Sequence, residues 1–372
     1  MDRVPFVALE RENAEIAGEL RDAFDRVLGS SAFVLGEEVE RFEVAFAASC
    51  DTAHCVGVAS GTAALALLLQ AAGVGPGDEV IVPAHTFFAT AAAVLTVGAV
   101  PVLCDVEPAT GLLDLDAAAQ LVSARTAAVL PVHLYGQMCE LEALGAFADR
   151  YGLLLLEDAA HAHGAHRGGL RPGARGAGAA FSFYPSKNLG ALGDGGAVCT
   201  NDAAIADRVR RLRNLGQRVK GDHVELAGNE RLDGLQAALL GVKLERLQHA
   251  NALRREHAGA YRERLDGHVR MLEERVAGEC VYHVFPVRVA DRDGVATRMR
   301  ASGIDVAVHY DPALHGHPAL RTRVRTPAPL THAEAWAATE LSLPLSPGLT
   351  PAEVERAAAA CRAALDPAAH VA

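Results

Sequence analysis

A single lysine, Lys187, lies between an aromatic apolar run and a glycine-rich segment in "FSFYPSKNLGALGDGG", residues 181–196. Burial disfavours the charged ammonium form, so a lysine held in an apolar pocket has a lowered pKa. The neutral amine is the form that attacks a carbonyl carbon to make a Schiff base. The glycines at 190–196 are expected to let the chain turn tightly beside a flat ligand. Taken alone, Lys187 is more simply explained as a solvated lysine at the end of a strand.

An acidic pair follows an apolar run in "LLLLEDAAHAHGA", where Asp158 comes at the carboxyl end of a predicted strand. Open α/β sheets place their ligands at this edge, and a buried carboxylate there needs a partner because leaving it unpaired is costly. A protonated heteroaromatic nitrogen would provide one, through a charge-assisted hydrogen bond of about 1.5–3 kcal/mol. A salt bridge or a helix cap would also satisfy this carboxylate.

Three histidines, His161, His163 and His166, follow this acid closely and raise the question of a metal site. Gly164 interrupts them, and neither an HExxH arrangement nor a neighbouring cysteine accompanies them. We therefore expect no metal ion at this site.

The segment "ASGTAALALLL" predicts a strand that ends at Ala59 and a helix that begins with Gly61, Thr62 and Ala63. The first amides of a helix lack intrahelical acceptors and lie at the positive end of its dipole, so they bind anions well. Gly61 would let an anion approach the backbone, and the amides of Thr62 and Ala63 are natural phosphate ligands. The hydroxyl of Ser182, five residues before the lysine, could reach the same phosphate. An ordinary serine or threonine helix cap would explain the same residues.

Two phenylalanines, Phe87 and Phe88, follow another predicted strand in "VPAHTFFAT". One of them could stack on an aromatic ring, although two phenylalanines in an apolar context are also typical of a core. The four features together provide for a phosphate, an aldehyde, a pyridine nitrogen and a flat ring. Pyridoxal 5′-phosphate (PLP) has all four, and its protein partners are a lysine, an acid and a phosphate cradle. We therefore expect PLP to bind here.

These residues require a scaffold that brings several strand ends to one edge of a sheet. From about residue 55 to residue 200, short apolar runs alternate with longer alanine-rich stretches. Helices are predicted at "GTAALALLLQAAG" and "ELEALGAFADRYG", and strands at "CVGVAS", "EVIVPA", "AVPVLCDV", "TAAVLPVHL", "LLLLED", "AAFSFY" and "GAVCTN". Continuous apolar runs are typical of strands covered on both faces. We therefore expect an α/β fold with a seven-stranded, mostly parallel sheet.

A smaller α+β domain is predicted after this region. The segment "KLERLQHANALRREHAGAYRERL", residues 243–265, has helical spacing and predicts one long helix between two domains. A strand is predicted in "CVYHVFPVRV", and helices in "GVATRMRASG" and "PAEVERAAAACRAAL". The expected domains are residues 1–245, which bind PLP, and residues 246–372.

The composition limits the class of protein. The 372 residues are 50% hydrophobic and 22% charged, as in an ordinary soluble enzyme. A net charge of −11 without a Lys/Arg block argues against nucleic acid or an anionic membrane as a partner. No apolar run reaches membrane-spanning length, and "MDRVPFVALE" lacks the layout of a signal peptide. Seven cysteines without a C-x-x-C pair favour reduced thiols, so we expect a cytoplasmic protein.

The chain resembles the DegT/StrS family of sugar aminotransferases over nearly its whole length. This resemblance implies the type I fold of PLP-dependent transferases. The matching motifs are "VPFVALERE", "AFVLGEEVERFEVAFA", "GVASGTAALALLL", "GDEVIVPAHTFFAT", "PVHLYGQM", "LEDAAHAHGA", "FSFYPSKNLGALGDGGAV", "GNERLDGLQAALL", "VHYDPALH" and "LSLPLSPGLT". Because so many motifs match in the same order, the chain is identified as a member of this family.

The resemblance implies roles at the cofactor site. Lys187 resembles the lysine that forms the Schiff base with PLP, and Asp158 resembles the acid paired with the pyridinium nitrogen. Phe87 matches the aromatic residue that stacks on the ring, and His161 occupies a place near the ring hydroxyl where the family carries Gln or His. The phosphate cradle is matched by Thr62, Ala63 and Ser182.

The resemblance also implies contacts with a second subunit and with the substrate. Asn229, in "GNERLD", matches an asparagine that reaches the phosphate from a neighbouring subunit, so a homodimer with shared active sites is expected. Four residues fall where related enzymes contact the sugar nucleotide: Tyr184, Lys220, His309 and Tyr310. The structural alternatives for them are a core tyrosine, a surface lysine and a capped histidine.

The activity implied by the resemblance is transfer of an amino group from an amino acid, L-glutamate, to a keto-sugar nucleotide. Family members that remove a hydroxyl group carry histidine in place of the lysine, so Lys187 favours aminotransfer. The motif "FYPSKNLGALGDGGAV" is most similar to members that aminate dTDP-linked 3-keto-6-deoxyhexoses in deoxyaminosugar and antibiotic biosynthesis. Alternatives are a 4-keto-sugar or cyclitol (inosose) substrate, dehydration to an aromatic amine, and a non-catalytic PLP-binding sensor.

Overall fold

The computed structural model describes residues 3–276 and 278–365 of the chain. Its main sheet has seven strands in the spatial order β1-β7-β6-β5-β4-β2-β3. Every predicted strand of this sheet is present: β1 (His54–Val58), β2 (Glu79–Pro83), β3 (Val100–Cys104), β4 (Thr126–Val129), β5 (Leu154–Asp158), β6 (Gly178–Ser182) and β7 (Gly196–Thr200). The prediction of a seven-stranded, mostly parallel sheet is confirmed.

Six of the seven strands run in the same direction, and β7 is reversed. The pairs β2–β3, β2–β4, β4–β5 and β5–β6 are parallel, whereas β7 pairs antiparallel with both β6 and β1. Val80, Ile81 and Val82 of β2 are completely buried, which explains why this strand is continuously apolar. Because the carboxyl ends of the six aligned strands meet at one edge, the loops after β1, β2, β5 and β6 converge there.

Helices pack on this sheet, and both helices predicted between its strands are present. Helices α3, α4, α7 and α8 contact strands of the main sheet. The α-helices of the described residues are α1 (Leu9–Glu15), α2 (Ala17–Ser30), α3 (Glu37–Ser49), α4 (Gly61–Ala71), α5 (Phe88–Thr96), α6 (Leu115–Leu121), α7 (Leu141–Tyr151), α8 (Ala203–Leu212), α9 (Gly234–Leu244), α10 (Leu247–Leu265), α11 (Arg292–Ala301), α12 (Thr331–Thr339) and α13 (Pro351–Leu365).

The prediction of one long helix over residues 243–265 is wrong, because the segment belongs to two helices. Helix α9 ends at Leu244 and α10 begins at Leu247. Helix α9 packs on α2 and α3, whereas α10 packs on α13, so the break lets the two helices follow different partners. Charged residues, Glu245 and Arg246, continue through the break, and the amphipathic pattern therefore could not locate it. The domain boundary near residue 245 stays a prediction.

A second antiparallel sheet consists of β10 (Arg270–Met271), β11 (Phe285–Arg288) and β12 (Glu340–Leu343), and β8 (Gln217–Val219) forms a hairpin with β9 (Asp222–His223). Strand β11 is shorter than the apolar run that predicted it. The amides of Val281 and His283 donate instead to the carbonyl oxygens of Gly136 and Tyr135, at 3.0 and 2.8 Å. These bonds fix His283 beside the loop that follows β4.

Within the described residues, no helix combines the length and the apolarity that crossing a membrane requires. All seven cysteines are free and buried, and Cys104 and Cys199 lie within strands β3 and β7.

Candidate active site

A cavity of about 440 Å³ lies where the loops after β1, β2, β5 and β6 converge. A volume of this size suits a small cofactor or substrate. Ten of the thirteen predicted site residues line it: Gly61, Thr62, Phe87, Asp158, His161, Ser182, Tyr184, Lys187, His309 and Tyr310. The other three, Ala63, Lys220 and Asn229, are not among its lining residues.

Lys187 reaches the cavity from the turn that follows β6. Its backbone amide donates to the carbonyl oxygen of Tyr184 at 2.8 Å, which closes this turn. Its Nζ atom lies 3.4 Å from Nε2 of His283. Burial lowers the pKa of Lys187 to about 8, while the negative charge of Asp158 acts in the opposite direction. Near pH 8, about half of the molecules therefore carry the neutral, nucleophilic amine.

The glycines after Lys187 have a different role from the one that we expected. None of those at 190–196 has a left-handed φ angle. A Cβ atom at Gly190 would overlap the carbonyl oxygen of Pro185, and one at Gly196 would overlap that of Ser60. At these two positions glycine is required because two stretches of backbone approach closely. Through Gly196, the start of β7 fixes the loop that leads into α4.

Asp158 is the last residue of β5, and it is buried. Its Oδ2 atom accepts a hydrogen bond from Oγ1 of Thr90 at 2.8 Å, and its Oδ1 atom accepts one from the amide of Ala160 at 3.1 Å. Burial raises the pKa of Asp158, while these two donors and the positive charge of Lys187 act to lower it. The donors and the lysine thus favour the ionised form, which can bind a protonated ring nitrogen.

Thr90 was absent from the sequence prediction, although it contacts the predicted acid directly. It lies in α5, within the motif "VPAHTFFAT", and its hydroxyl is 3.1 Å from that of Thr86. Since Thr90 donates its one proton to Asp158, its oxygen accepts from Thr86. Both threonines are buried. The sequence signal for this hydrogen bond to Asp158 was the pair of threonines four residues apart in an apolar segment.

The amino end of α4 borders the cavity and forms an anion cradle. Oγ of Ser60 accepts the amide of Ala63 at 3.1 Å, so this amide has an acceptor within the chain and the expected phosphate contact of Ala63 is not supported. The amides of Gly61 and Thr62 are those that the helix itself leaves unbonded. A Cβ atom at Gly61 would lie 2.5 Å from Cβ of Ser182. Only glycine therefore lets Ser182 lie against the helix end.

Phe87 and Phe88 differ in their surroundings. Phe87 lines the cavity and is 53% exposed, and its ring centroid lies 5.3 Å from that of Tyr310. Phe88 begins α5 and packs edge-on against His317, with 5.5 Å between the ring centroids. An exposed ring on a cavity wall can stack on a flat ligand. The geometry therefore selects Phe87, in agreement with the resemblance.

His161 is held through both ring nitrogens. Its Nδ1 atom accepts the backbone amide of Tyr135 at 3.2 Å, and its Nε2 atom lies 3.2 Å from the hydroxyl of Tyr310. An amide nitrogen can only donate, so Nδ1 is unprotonated and the proton of the neutral ring is on Nε2. Burial and the positive charge of Lys187 keep the pKa of His161 well below its ordinary value. The ring therefore stays neutral and donates toward Tyr310.

His283 is a second residue of the site that sequence reasoning missed. Its ring centroid lies 4.3 Å from that of His161, and its Nε2 atom contacts Lys187. The side chain is buried, and its Nδ1 atom has no hydrogen-bond partner within the described part of the chain. His283 comes 96 residues after Lys187 in an apolar run, so only the tertiary fold identifies it.

Lys220 and Asn229 do not line the cavity of this chain. Lys220 lies in the turn between β8 and β9, and Asn229 forms a bridge with Asn214. Both residues are exposed. The resemblance assigns Asn229 to the site of a neighbouring subunit, and the structure describes a single chain. The roles of both residues stay predictions.

The three histidines that follow Asp158 do not converge. His163 packs among phenylalanine rings, whereas His166 lies 3.6 Å from Glu279 at the surface. Among residues 3–276 and 278–365, no group of three or more His, Cys, Asp or Glu side chains could hold a metal ion.

The cavity lining fits PLP. An amine with a lowered pKa, a buried carboxylate, a helix amino end and an exposed aromatic ring all border one space. The contact between Gly61 and Ser182 makes a cradle that any larger side chain would fill. When PLP is bound, Lys187 would hold its aldehyde, Asp158 its ring nitrogen and Phe87 its ring. Its phosphate would be held by Gly61, Thr62 and Ser182.

Known proteins with similar sequences include enzymes of one family. A model of the DegT/DnrJ/EryC1/StrS aminotransferase family matches residues 14–362. The "erythromycin biosynthesis sensory transduction protein EryC1" of Saccharopolyspora erythraea is 46% identical over 93% of this chain and 95% of its own. The "dTDP-3-amino-3,4,6-trideoxy-alpha-D-glucose transaminase" of Streptomyces venezuelae is 44% identical over 93% of this chain and 92% of its own.

The fold of this chain also matches that of a solved structure. The crystal structure of S. venezuelae DesV in complex with a ketimine intermediate matches with a TM-score of 0.95 at 43% identity, and the match covers 97% of this chain and 98% of that one. The family match, the S. venezuelae transaminase and the ketimine complex of DesV indicate one reaction class, and the cavity lining fits the cofactor of that class. The chain belongs to the DegT/DnrJ/EryC1/StrS aminotransferase family, and it is a PLP-dependent sugar aminotransferase.

Proposed function

We propose that this enzyme transfers the amino group of L-glutamate to carbon 3 of a dTDP-linked 3-keto-6-deoxyhexose. The proposal depends on one observation: Lys187 and the buried Asp158 line the same cavity, and the pKa of Lys187 is lowered to about 8. The name of the S. venezuelae relative describes a transaminase of a dTDP-linked 3-amino sugar, and this relative is 44% identical. We place the reaction in deoxyaminosugar biosynthesis, in an antibiotic pathway of the cytoplasm.

The residues of the chain bind, orient and move protons in this reaction. Bound PLP supplies an aldehyde for the amino group and a ring that accepts electrons from the reacting carbon. Nζ of Lys187, in its neutral form, takes a proton from the α-carbon of the donor and can return it. Asp158, in its ionised form, keeps the ring nitrogen protonated, and Thr90 stabilises that form. Phe87 limits the tilt of the ring by stacking.

Both substrates would use the same cavity of about 440 Å³ in turn, since each must reach the aldehyde carbon of the one PLP. Tyr184, His309 and Tyr310 line it, and we propose that they contact the sugar nucleotide. Tyr184 is 55% exposed, which leaves its hydroxyl accessible to a ligand. Initial rates measured at several concentrations of both substrates should give the parallel double-reciprocal lines of a ping-pong reaction.

We also propose a homodimer in which Lys220 and Asn229 complete the site of the partner subunit. Both residues are exposed and neither lines the cavity of its own chain. The segment that carries them also exposes apolar side chains, including Leu226 at 97% and Val219 at 64%. Apolar side chains clustered at a surface favour burial against another chain.

Complementation tests this shared site. Lys187→Ala and Asn229→Ala chains would each be inactive alone, but a mixed dimer would contain one site with both residues intact. Random exchange makes half of the dimers mixed, so we expect about one quarter of the wild-type activity after mixing and refolding. No recovery, in mixed dimers isolated through different affinity tags on the two variants, would contradict the shared site.

The reaction itself is tested with the purified holoenzyme. We expect a yellow protein that loses its colour with L-glutamate and recovers it with the correct keto-sugar. Borohydride reduction and peptide mapping should then find a pyridoxyl group on Lys187. The keto-sugars to compare are dTDP-linked 3-keto and 4-keto hexoses and an inosose. Preferred turnover of either alternative would replace the proposed substrate.

A non-catalytic sensor is the second candidate, because the name of the S. erythraea relative includes sensory transduction. A sensor has no need of a lysine whose pKa burial lowers to about 8 beside a buried acid. Colour that no amino donor changes would favour the sensor over the transaminase.

A further inference from the structure

Three polar side chains form a chain of hydrogen bonds that begins in the core and ends at the cavity. Oε2 of Glu340 accepts the backbone amide of His309 at 2.6 Å. Oε1 of Glu340 lies 2.6 Å from Oγ of Ser342, and this Oγ lies 2.9 Å from Nδ1 of His309. Glu340 and Ser342 are two residues apart on β12, so their side chains lie on one face, and both are 0% exposed.

His309 occupies the cavity end of this chain. It lines the cavity, and its ring stacks on Phe6 with 5.8 Å between centroids. Its carbonyl oxygen accepts the hydroxyl of Tyr135 at 2.7 Å, so its backbone is fixed on both sides. With Nδ1 bonded to Ser342, the nitrogen that the ring can offer to a ligand is Nε2.

The donors and acceptors of Glu340, Ser342 and His309 allow two arrangements of these hydrogen bonds. If Glu340 is ionised, Ser342 donates to Glu340, and Ser342 then accepts from a protonated Nδ1 of His309, so Nε2 carries no proton. If Glu340 is protonated, its Oε1 donates to Ser342, and Ser342 donates to an unprotonated Nδ1. The proton of the neutral ring is then on Nε2. The two arrangements differ by one proton, which leaves or enters at Nε2 on the cavity side.

The charges around these groups make this difference relevant near neutral pH. Burial raises the pKa of Glu340 to about 8, although Ser342, the amide of His309 and the charge of Arg292 act to lower it. Burial and the charge of Lys187 lower the pKa of His309 to about 4, so its ring is neutral above that pH. The other ionisable groups that interact with the pair are Tyr135, Tyr310, His85, His161 and His283.

We propose that Glu340 and Ser342 are positioning residues that set which ring nitrogen of His309 is protonated, and so decide whether Nε2 donates to the bound substrate or accepts from it. The acid form of Glu340 makes Nε2 a donor, which suits an oxygen that can only accept, such as a keto or phosphate oxygen. The ionised form makes Nε2 an acceptor, which leaves such an oxygen without its partner. The identity of the ligand as a keto-sugar nucleotide rests on the proposed function.

The first test observes the tautomer directly and needs no substrate. Protein labelled with ¹⁵N-histidine reports which ring nitrogen carries the proton, and a His309→Gln variant identifies the signals. Between pH 7 and pH 9, we expect the proton of His309 to move from Nε2 to Nδ1. An unchanged tautomer over this range in the wild type would overturn the proposal.

Two variants separate the relay from a structural role. In Glu340→Gln, the amide oxygen still accepts from the amide of His309, and the NH₂ group must donate to Ser342, so the proton stays on Nε2 at every pH. In Ser342→Ala, the contact of Glu340 with the backbone remains but the link to Nδ1 is lost, so the pH response should disappear. A wild-type response in either variant would contradict the relay.

A matched control is Glu79→Gln in β2. Glu79 is also a buried carboxylate, but it pairs with Arg125 and Arg325 at the far end of its strand from the cavity. The tautomer of His309 should respond to pH in this variant as it does in the wild type. If Glu79→Gln abolishes the response as Glu340→Gln does, the effect is general and the relay is refuted.

The second test measures binding of a dTDP-linked 3-keto-6-deoxyhexose, which has both a keto and a phosphate oxygen, to holoenzyme that carries the Lys187→Ala change. This change removes the titration of that lysine. We expect affinity to fall about fivefold between pH 7 and pH 9, because a hydrogen bond that contributes about tenfold is lost as Glu340 ionises near pH 8. Affinity should change less than twofold over this range when Glu340→Gln is added. Equal pH dependence in both proteins would overturn the proposal. A tautomer shift in protein that does not aminate keto-sugars would instead refute only the proposed function.

Discussion

Replacement of Thr90 by valine should weaken the binding of PLP, because it removes a hydrogen bond to the acid that holds the ring nitrogen. The hydroxyl of Thr90 donates to Oδ2 of Asp158 at 2.8 Å in a buried setting. Hydrogen bonds to charged groups contribute about 1.5–3 kcal/mol, and because this bond is also present without PLP, the corresponding factor of about 10–150 is the upper range of the effect on affinity. Asp158 keeps its second donor, the amide of Ala160 at 3.1 Å, so we expect the low end of this range, about tenfold.

The assay is a titration of apo-protein with PLP, followed by cofactor absorbance and tryptophan emission. The side-chain carboxyl of Asp158, observed by ¹³C NMR and assigned with Asp158→Asn, provides an independent measurement. Because Thr90 acts to lower the pKa of Asp158, that pKa should rise further in Thr90→Val. Thermal unfolding of the apo-proteins checks that the variants remain folded.

Two companion variants sharpen this experiment. Thr86→Val removes the neighbouring buried hydroxyl, which contacts Thr90 at 3.1 Å, but leaves the bond to Asp158 in place, so its effect should be smaller. Thr90→Ser keeps the donor and should bind PLP nearly as the wild type does. An unchanged dissociation constant together with an unchanged pKa of Asp158 in Thr90→Val would refute the reasoning.

Three further changes test the remaining parts of the site. Lys187→Ala should lower the turnover rate by a factor of about 10²–10⁴, the usual contribution of a proton-transfer group, while PLP still binds without a covalent bond. Full activity of this variant would contradict the proposed role of Lys187. In the apo-protein, Asp158→Asn should lower the pKa of Lys187 below about 8, because the carboxylate is the group that raises it. Labelling of Lys187 with an amine reagent at several pH values, followed by peptide mass spectrometry, measures this pKa. An unshifted labelling profile would argue against the charge coupling. Gly61→Ala places a Cβ atom 2.5 Å from that of Ser182 and should lower the free energy of unfolding by about 1–3 kcal/mol. Adding Ser182→Gly should restore part of that stability in thermal unfolding of the apo-proteins, and no restoration would indicate another cause.

The main sheet and the central residues of the site were predictable because their signals are local. Seven apolar runs bounded by turn residues correspond to β1–β7. Lys187 and Asp158 each follow such a run, and parallel strands bring their carboxyl ends to one edge. Short sequence motifs were therefore sufficient to predict an amine, an acid and a helix amino end around one cavity.

Residues that contribute through distant contacts could not be predicted in this way. His283 reaches Lys187 only because the amides of residues 281 and 283 bond to the loop after β4. Glu340 acts on His309 across 31 residues. The occupied amide of Ala63 depends on the rotamer of Ser60, which a sequence pattern does not specify.

The reversed strand β7 has a consequence for the order in which the protein is assembled. Within the part of the chain that the structure describes, strand β1, at residues 54–58, pairs in the main sheet only with residues 196–200. A chain emerging from the ribosome thus completes most of its parallel sheet before its first strand has a neighbour, and contacts so distant in sequence form slowly. Vitamin B6 capture must wait for this late closure, since the helix end that receives the phosphate group begins where β1 ends.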